Sequence, residues 1–112
     1  ECRINAEAPM SDFSPSCGRI TRYYPAGGIG VRIDSHIYQD YEVSPYYDSL
    51  LGKLIVHRPS RDEAIKTMQR SLSEFVIEGI KTNIPLHTAI FKHPRFIDGQ
   101  IDTTFLERYL IR

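Results

Sequence analysis

The chain has 112 residues, of which 41% are hydrophobic, and this predicts a single domain, residues 1–112, folded around its own core. Fourteen basic residues balance fourteen acidic ones, so no net charge is present to attract a nucleic acid or an anionic membrane surface. The apolar runs are too short to cross a bilayer and the amino end lacks a signal-peptide pattern, so we expect a cytoplasmic protein.

The first half of the chain has the pattern of short strands. Residues 2–5 alternate apolar and polar side chains, which predicts a strand whose outer face carries Arg3. Further strands are predicted over 19–24 and 29–34, and the glycines at 27–28 predict a tight turn between two antiparallel strands. Strands that follow one another with short turns favour an antiparallel sheet.

The stretch 44–56 joins an aromatic turn, stiffened by proline, to an apolar run long enough for a buried strand. The turn presents one acid, Asp48, from a rigid position. Two interpretations are compatible with the pattern. Either Asp48 belongs to a functional site, or the turn is purely structural, with its tyrosines filling the edge of the core.

The second half of the chain has the pattern of helices. Ser60 and Glu63 have the spacing of a capping box, and apolar residues follow at helical spacing as far as Val76, with Gly79 predicted to end the helix. A second helix is predicted to begin at 82–85 with Leu86, Ala89 and Ile90 facing inward, and a third around 105–110. The expected fold class is therefore α+β, an antiparallel β-sheet in the N-terminal half packed with C-terminal helices.

Cysteine and histidine are sparse. Cys2 and Cys17 fit no zinc-binding spacing, and we expect both to be small buried thiols rather than a disulfide. The four histidines are scattered along the chain, so no metal site is predicted.

Four groups of motifs occur along the chain in a fixed order. They are Glu1-Cys2-Arg3-Ile4-Asn5-Ala6-Glu7, Gly27-Gly28 with Gly30-Val31-Arg32, Tyr46-Tyr47-Asp48-Ser49 with Gly52-Lys53-Leu54, and Gly79-Ile80-Lys81-Thr82-Asn83. In this order and spacing the chain resembles the carboxy-terminal domain of biotin carboxylase over essentially its whole length. Because the chain opens without methionine, we expect it to be a segment of a longer protein.

The resemblance implies the first half-reaction of the biotin-dependent carboxylases, in an acetyl-CoA, propionyl-CoA or pyruvate carboxylase. ATP and bicarbonate form carboxyphosphate, and the carboxyl group passes to a ring nitrogen of biotin held on a carrier lysine. Such enzymes belong to the ATP-grasp ligases and include those of fatty acid biosynthesis. Their ATP lid, bicarbonate site and the acids that bind Mg²⁺ or Mn²⁺ lie in amino-terminal domains, so this chain alone is expected to bind no cofactor and to be inactive.

The resemblance also implies roles for individual residues. Arg3 matches the arginine beside the ureido oxygen of biotin, which gives it a catalytic and biotin-binding role. Asp48 would lie near the biotin entrance and orient Arg3 or the biotin ring. Arg32 matches a subunit contact of the homodimeric bacterial members, and Ile29 stands in the same turn where many members have phenylalanine. Cys17 stands where many have proline.

The implied partners are the remaining ATP-grasp domains, the biotin carboxyl carrier protein or domain, the carboxyltransferase and a second copy in a homodimer. One alternative is a non-catalytic α+β module for protein interaction or dimerisation. Another is a different ATP-grasp ligase, of carbamoyl-phosphate or purine synthesis, although the block over residues 1–5 and the turn over residues 46–49 are not expected there.

Overall fold

The computed structural model describes residues 1–111. Its strands are β1 (Cys2–Asn5), β2 (Glu7–Ala8), β3 (Ser14–Pro15), β4 (Gly18–Arg19), β5 (Arg22–Tyr24), β6 (Val31–Ser35), β7 (Glu42–Val43), β8 (Leu50–Val56) and β9 (Val76–Glu78). Its α-helices are α1 (Arg61–Glu74), α2 (Ile84–Lys92), α3 (Pro94–Ile97) and α4 (Phe105–Tyr109). The predicted α+β class, with antiparallel strands followed by helices, is confirmed.

A sheet of three antiparallel strands, in the order β1-β8-β6, positions the candidate site. The longest strand, β8, lies in the middle, and Lys53 of that strand pairs with Arg3 on one side and with Asp34 on the other. Three smaller two-stranded sheets pair β2 with β3, β4 with β7 and β5 with β9. Strand β1 is therefore an edge strand of the main sheet.

Both faces of β8 contribute to a hydrophobic core, because successive side chains of a strand point to opposite faces. On one face, Leu54 packs in a cluster under helix α1 with Cys2, Ile4, Ala26, Met68, Leu72 and Phe75. On the other face, Leu51 packs with Ala6, Ile20, Ile37 and Val43. The second cluster covers only part of its face, and the rest of that face carries Arg3 and Lys53.

Helix α1 begins as its sequence predicts and ends earlier. Ser60 accepts a hydrogen bond from the backbone N–H of Glu63 at 3.2 Å, so the predicted cap is confirmed. The prediction that the helix continues through Val76 to Gly79 is wrong, because Phe75 is already extended and β9 pairs with β5. Gly79 does adopt a positive φ of 102°, but it follows a strand.

The glycines at 27–28 lie in a turn between strands that do not pair with each other, so the predicted hairpin is wrong. Strand β5 pairs with β9, and β6 pairs with β8. The single strand predicted over 19–24 is divided into β4 and β5, which join different sheets.

One further expectation about burial fails, and another holds in part, since Leu86, Ala89 and Ile90 are half-buried. Cys2 is buried as expected, but Cys17, which lies just before β4, is exposed. Ile84 and Phe91 of helix α2 pack against the core, whereas Leu86 and Ala89 line a cavity of about 460 Å³ together with Pro9, Met10, Pro85, Tyr109, Leu110 and Ile111. Within residues 1–111, none of the helices has the length and apolarity needed to span a membrane.

Candidate functional site

The side chain of Arg3 lies on the outer face of β1, as the alternating pattern predicts. Its neighbours Cys2 and Ile4 are each 1% exposed and face the core, while Arg3 is exposed. The side chains that bond to Arg3 do so at its backbone carbonyl, and no residue within 1–111 pairs with its guanidinium. The guanidinium of Arg3 thus lies on the exposed face of β1, and its five N–H donors are available to a substrate.

Lys53 is the cross-strand neighbour of Arg3. The register places the two residues directly opposite each other, and Asp34 lies opposite Lys53 on the far strand. Asp34 is already engaged, because its carboxylate accepts from the Arg32 guanidinium at 3.1 Å. The row across the sheet therefore carries positive charge at Arg3 and Lys53, which suits a negatively charged group above this face.

The backbone of β1 is held from its outer side by helix α2. Asn83, immediately before α2, and His87, in its first turn, both donate to the carbonyl oxygen of Arg3, at 3.0 and 2.8 Å. Burial lowers the pKa of His87, and the hydrogen bond to Arg3 opposes that shift only in part. A neutral imidazole carrying its proton on Nε2 fits this contact, because a carbonyl oxygen can only accept.

Asp48 lies in the turn that precedes β8. Its Oδ1 accepts from the backbone N–H of Leu50 at 3.2 Å, which closes the turn locally. The turn is also tied to the neighbouring segment, since the Ser49 hydroxyl donates to Glu7 at 2.8 Å. Tyr46 and Tyr47 are 88% and 83% exposed, so the interpretation in which these tyrosines fill the edge of the core is wrong.

Asp48 lines a cavity of about 360 Å³ together with His36, Tyr41, Val43, Ser44, Tyr47, Leu50 and Leu51. Arg3 is not among these lining residues. Leu51 and Lys53 are two residues apart on β8 and share a face, so the cavity opens beside the row that carries Arg3. Within residues 1–111, Arg3 and Asp48 share no hydrogen bond or ion pair: Asp48 lines this cavity, and Arg3 lies outside its lining.

The two residues expected at a subunit contact are both at the surface. Ile29 is 85% exposed at the turn that leads into β6. The side chain of Arg32 is 70% exposed and forms its ion pair with Asp34 along the same strand. An exposed apolar side chain beside an exposed ion pair is compatible with a surface that contacts another protein.

Residues 1–111 contain no group of three or more His, Cys, Asp or Glu side chains arranged to hold a metal ion. The donors in this part of the chain do not fit a divalent cation, so we assign no step of a reaction through a metal to these residues.

Sequence reasoning missed Lys53, Asn83 and His87 as neighbours of Arg3. The alternation of 51, 53 and 55 along β8 indicates which face Lys53 occupies, but only the strand register brings it opposite Arg3. Asn83 and His87 follow Arg3 by 80 and 84 residues in the chain. No local pattern predicts that contact.

Comparison with known proteins identifies the fold and the family. The chain is 54% identical over 109 residues to biotin carboxylase 1 of Bacillus subtilis and 52% identical over 109 residues to a pyruvate carboxylase subunit of Methanothermobacter thermautotrophicus. These alignments cover 97% of this chain but 24% and 22% of those proteins. The chain therefore spans about a quarter of the length of these relatives.

Among solved structures, the biotin carboxylase domain dimer of Hydrogenobacter thermophilus 2-oxoglutarate carboxylase, in complex with MgADP, ADP and bicarbonate, superposes with a TM-score of 0.94 at 46% identity. The match covers 96% of this chain and 24% of that one. A sequence model of the biotin carboxylase C-terminal domain matches residues 1–108. The chain belongs to the biotin carboxylase C-terminal domain family.

Proposed function

We propose that this chain supplies the biotin side of the active site in a biotin carboxylase, with Arg3 stabilising negative charge on the ureido oxygen of biotin. In the reaction, the bond from the carboxyl carbon to the phosphate oxygen breaks, the ring nitrogen of biotin gives its proton to the released phosphate, and that nitrogen forms a bond to the carboxyl carbon. Charge develops on the ureido oxygen as the proton leaves. A donor that is fixed in place before this happens lowers the barrier.

The observation that carries the proposal is the unpaired guanidinium of Arg3 on a rigid strand. A guanidinium stays protonated at any working pH and presents its donors in one plane. Within residues 1–111 no acid neutralises it, so its charge is available to a substrate. Lys53 on the next strand adds positive charge to the same face and favours the anionic form of the substrate.

Asp48 is proposed to border the entrance for biotin. Asp48 lines the cavity beside the Arg3 row, and its bond to the backbone N–H of Leu50 fixes the turn that carries it. From this position it orients the biotin ring at the cavity mouth. The exposed side chains of Tyr46 and Tyr47 are available to the carrier that brings biotin to the site.

The remaining catalytic parts are proposed to lie in the rest of the protein, since this chain spans about a quarter of its relatives. ATP, bicarbonate and Mg²⁺ or Mn²⁺ would bind to the preceding ATP-grasp domains. The carboxyl acceptor, an acyl-CoA or pyruvate, would be selected by a separate carboxyltransferase after the carrier has moved. This assignment agrees with one relative that is named a biotin carboxylase and another that is named as part of a pyruvate carboxylase.

A homodimer is proposed to form through the surface that carries Ile29 and Arg32. The structural relative is a domain dimer, and Ile29 has the large apolar exposure that a subunit contact would bury. The ion pair between Arg32 and Asp34 keeps that strand face charged beside it. Ile29→Asp is expected to lower the molecular mass in solution from dimer to monomer, measured by light scattering.

The experiment that tests the active-site proposal is Arg3→Lys in the full-length polypeptide. Lysine keeps the charge but loses the planar set of donors, and loss of such a donor costs about a hundredfold in rate. We expect carboxylation of free biotin to fall by about that factor. ATP hydrolysis without biotin should be unchanged.

Arg22→Lys is the matched control, because Arg22 is also an exposed arginine on a short strand, but it faces Glu78 at 3.7 Å. Its biotin kinetics should equal those of the wild type. Arg3→Lys with wild-type biotin carboxylation would contradict the proposal.

A further inference from the structure

The outer edge of β1 is closed by one end of helix α2 rather than by another strand. In the described sheet β1 pairs only with β8, and the backbone of Arg3 and Asn5 bonds outward to α2. The segment that carries the proposed catalytic guanidinium is therefore held on both sides. An edge strand without such a neighbour would leave these backbone groups to water.

Asn83 takes the place of a neighbouring strand. Its Oδ1 accepts from the N–H of Asn5 at 2.9 Å, its Nδ2 donates to the carbonyl of Arg3 at 3.0 Å, and its backbone N–H donates to the carbonyl of Asn5 at 3.2 Å. The residue is only 6% exposed. Since a buried amide is costly to leave unpaired, these contacts resist displacement of β1.

Asn83 makes these contacts in place of capping its own helix. It occupies the position before α2 where asparagine usually accepts from the first turn, but its side chain makes no such bond. His87, four residues later and on the same face of the helix, adds a second donor to the carbonyl of Arg3 at 2.8 Å. The side chains of Asn83 and His87 thus converge on one carbonyl.

We propose that Asn83 and His87 are positioning residues that hold the backbone of Arg3 in register, so that its guanidinium stands where charge develops on biotin. This inference rests on the proposed function of Arg3. It adds that Asn83 and His87, together called the brace, hold the backbone of that residue. Because Asn83 bonds to residues 3 and 5, it fixes the strand at and beyond the attachment point of the guanidinium. A displacement of about 1 Å at a reacting group costs as much as a hundredfold in rate.

The test uses the full-length polypeptide with Asn83→Ala and, separately, His87→Leu. We expect kcat/KM for free biotin to fall between about tenfold and a hundredfold in each variant. ATP hydrolysis without biotin should stay within about twofold of wild type, since the groups that bind and cleave ATP are proposed to lie in the other domains. His87→Gln, whose amide can still donate to the Arg3 carbonyl, should retain most of the biotin activity.

The matched control is Gln69→Leu. Gln69 also secures helix α2, but at the opposite end, by donating to the carbonyl of Phe91 at 2.7 Å. If Gln69→Leu lowers the melting temperature as much as His87→Leu and yet keeps biotin kinetics, the effect of His87 is one of position. Equal losses of biotin activity in the two variants would overturn the proposal.

Hydrogen exchange separates failure of the brace from failure of the proposed function. The amide of Asn5 should exchange faster in Asn83→Ala than in wild type, because its acceptor is gone. Unchanged exchange at Asn5 would overturn the brace. Wild-type biotin kinetics in Arg3→Lys would instead contradict the role of Arg3, whatever the exchange rate.

Discussion

Replacing Gly79 by alanine should be among the most destabilising single-atom additions in this fold. Gly79 has a φ of +102°, which residues with a Cβ adopt only under strain. A Cβ built at this position would lie 2.9 Å from the backbone nitrogen of Thr21 and closer still to the backbone carbonyl of Arg19. These are backbone atoms of the neighbouring segment, so no side-chain rotation relieves the contact.

The expected cost has two parts. Backbone strain at such a φ is about 1–3 kcal/mol. To remove the clash, the chain after β9 must move away from Thr21. The backbone N–H of Thr21 donates to the backbone carbonyl of Glu78 at 2.9 Å. Weakening this bond and one neighbouring ladder bond adds about 1–3 kcal/mol. The free energy of unfolding should therefore fall by about 2–6 kcal/mol, a large part of a typical domain's stability.

Gly99 provides the matched control. It also has a positive φ, +75°, but no atom of residues 1–111 lies within 4 Å of a Cβ built there. Gly99→Ala should therefore cost only the strain of the left-handed backbone, about 1–2 kcal/mol. Urea unfolding followed by far-UV circular dichroism measures both changes. If the two variants lose equal stability, the close approach of Gly79 to the segment of Arg19 and Thr21 is wrong.

Three further predictions concern the core and two titrating groups. Leu54→Ala should lower the free energy of unfolding by about 2–5 kcal/mol, because Leu54 is 0% exposed, whereas Met10→Ala, at 98% exposure, should leave urea unfolding nearly unchanged. Burial lowers the pKa of His87 below its usual 6.5, so the folded state binds fewer protons than the unfolded state. The free energy of unfolding should therefore decrease as the pH falls from 6.5 through the folded pKa. His87→Gln should flatten this dependence in acid titrations. Burial raises the pKa of the Cys2 thiol to about 11, so Ellman's reagent at pH 8 should label the exposed Cys17 and leave Cys2 unreacted until the chain unfolds.

Elements whose determinants are local in sequence could be predicted. The start of α1 depends on Ser60 and Glu63, which are three residues apart, and the structure shows that bond. The outer face of β1 follows from the alternation of Cys2, Arg3 and Ile4. In both cases the residues that decide the structure lie within one turn or one strand.

Elements that depend on distant pairing could not be predicted. Val76 continues the helical spacing of α1, yet it begins β9 because Tyr24 pairs with it across about fifty residues of chain. The turn at 27–28 has a hairpin sequence, but its flanking strands find partners elsewhere. Local propensity is overridden wherever a remote strand offers hydrogen bonds and core contacts.

The candidate site divides in the same way. Arg3 and Asp48 could be singled out because the family resemblance implies roles for them. Lys53 and Asn83 also stand in the quoted motifs, but they and His87 come close to Arg3 only through strand register and helix docking. Asn83 and His87 bond to the backbone of Arg3, and Lys53 places a second positive charge opposite it. Both arrangements are three-dimensional and have no signature in a local window.

The central claim is that the guanidinium of Arg3 itself stabilises the charge on biotin. Chemical rescue tests it most directly: in full-length Arg3→Gly, added guanidinium chloride at concentrations below those that unfold the protein should restore part of the biotin-dependent turnover. Sodium chloride at the same ionic strength should not. Equal turnover in the two salts, or no restoration by guanidinium in a folded enzyme that still hydrolyses ATP, would contradict the account.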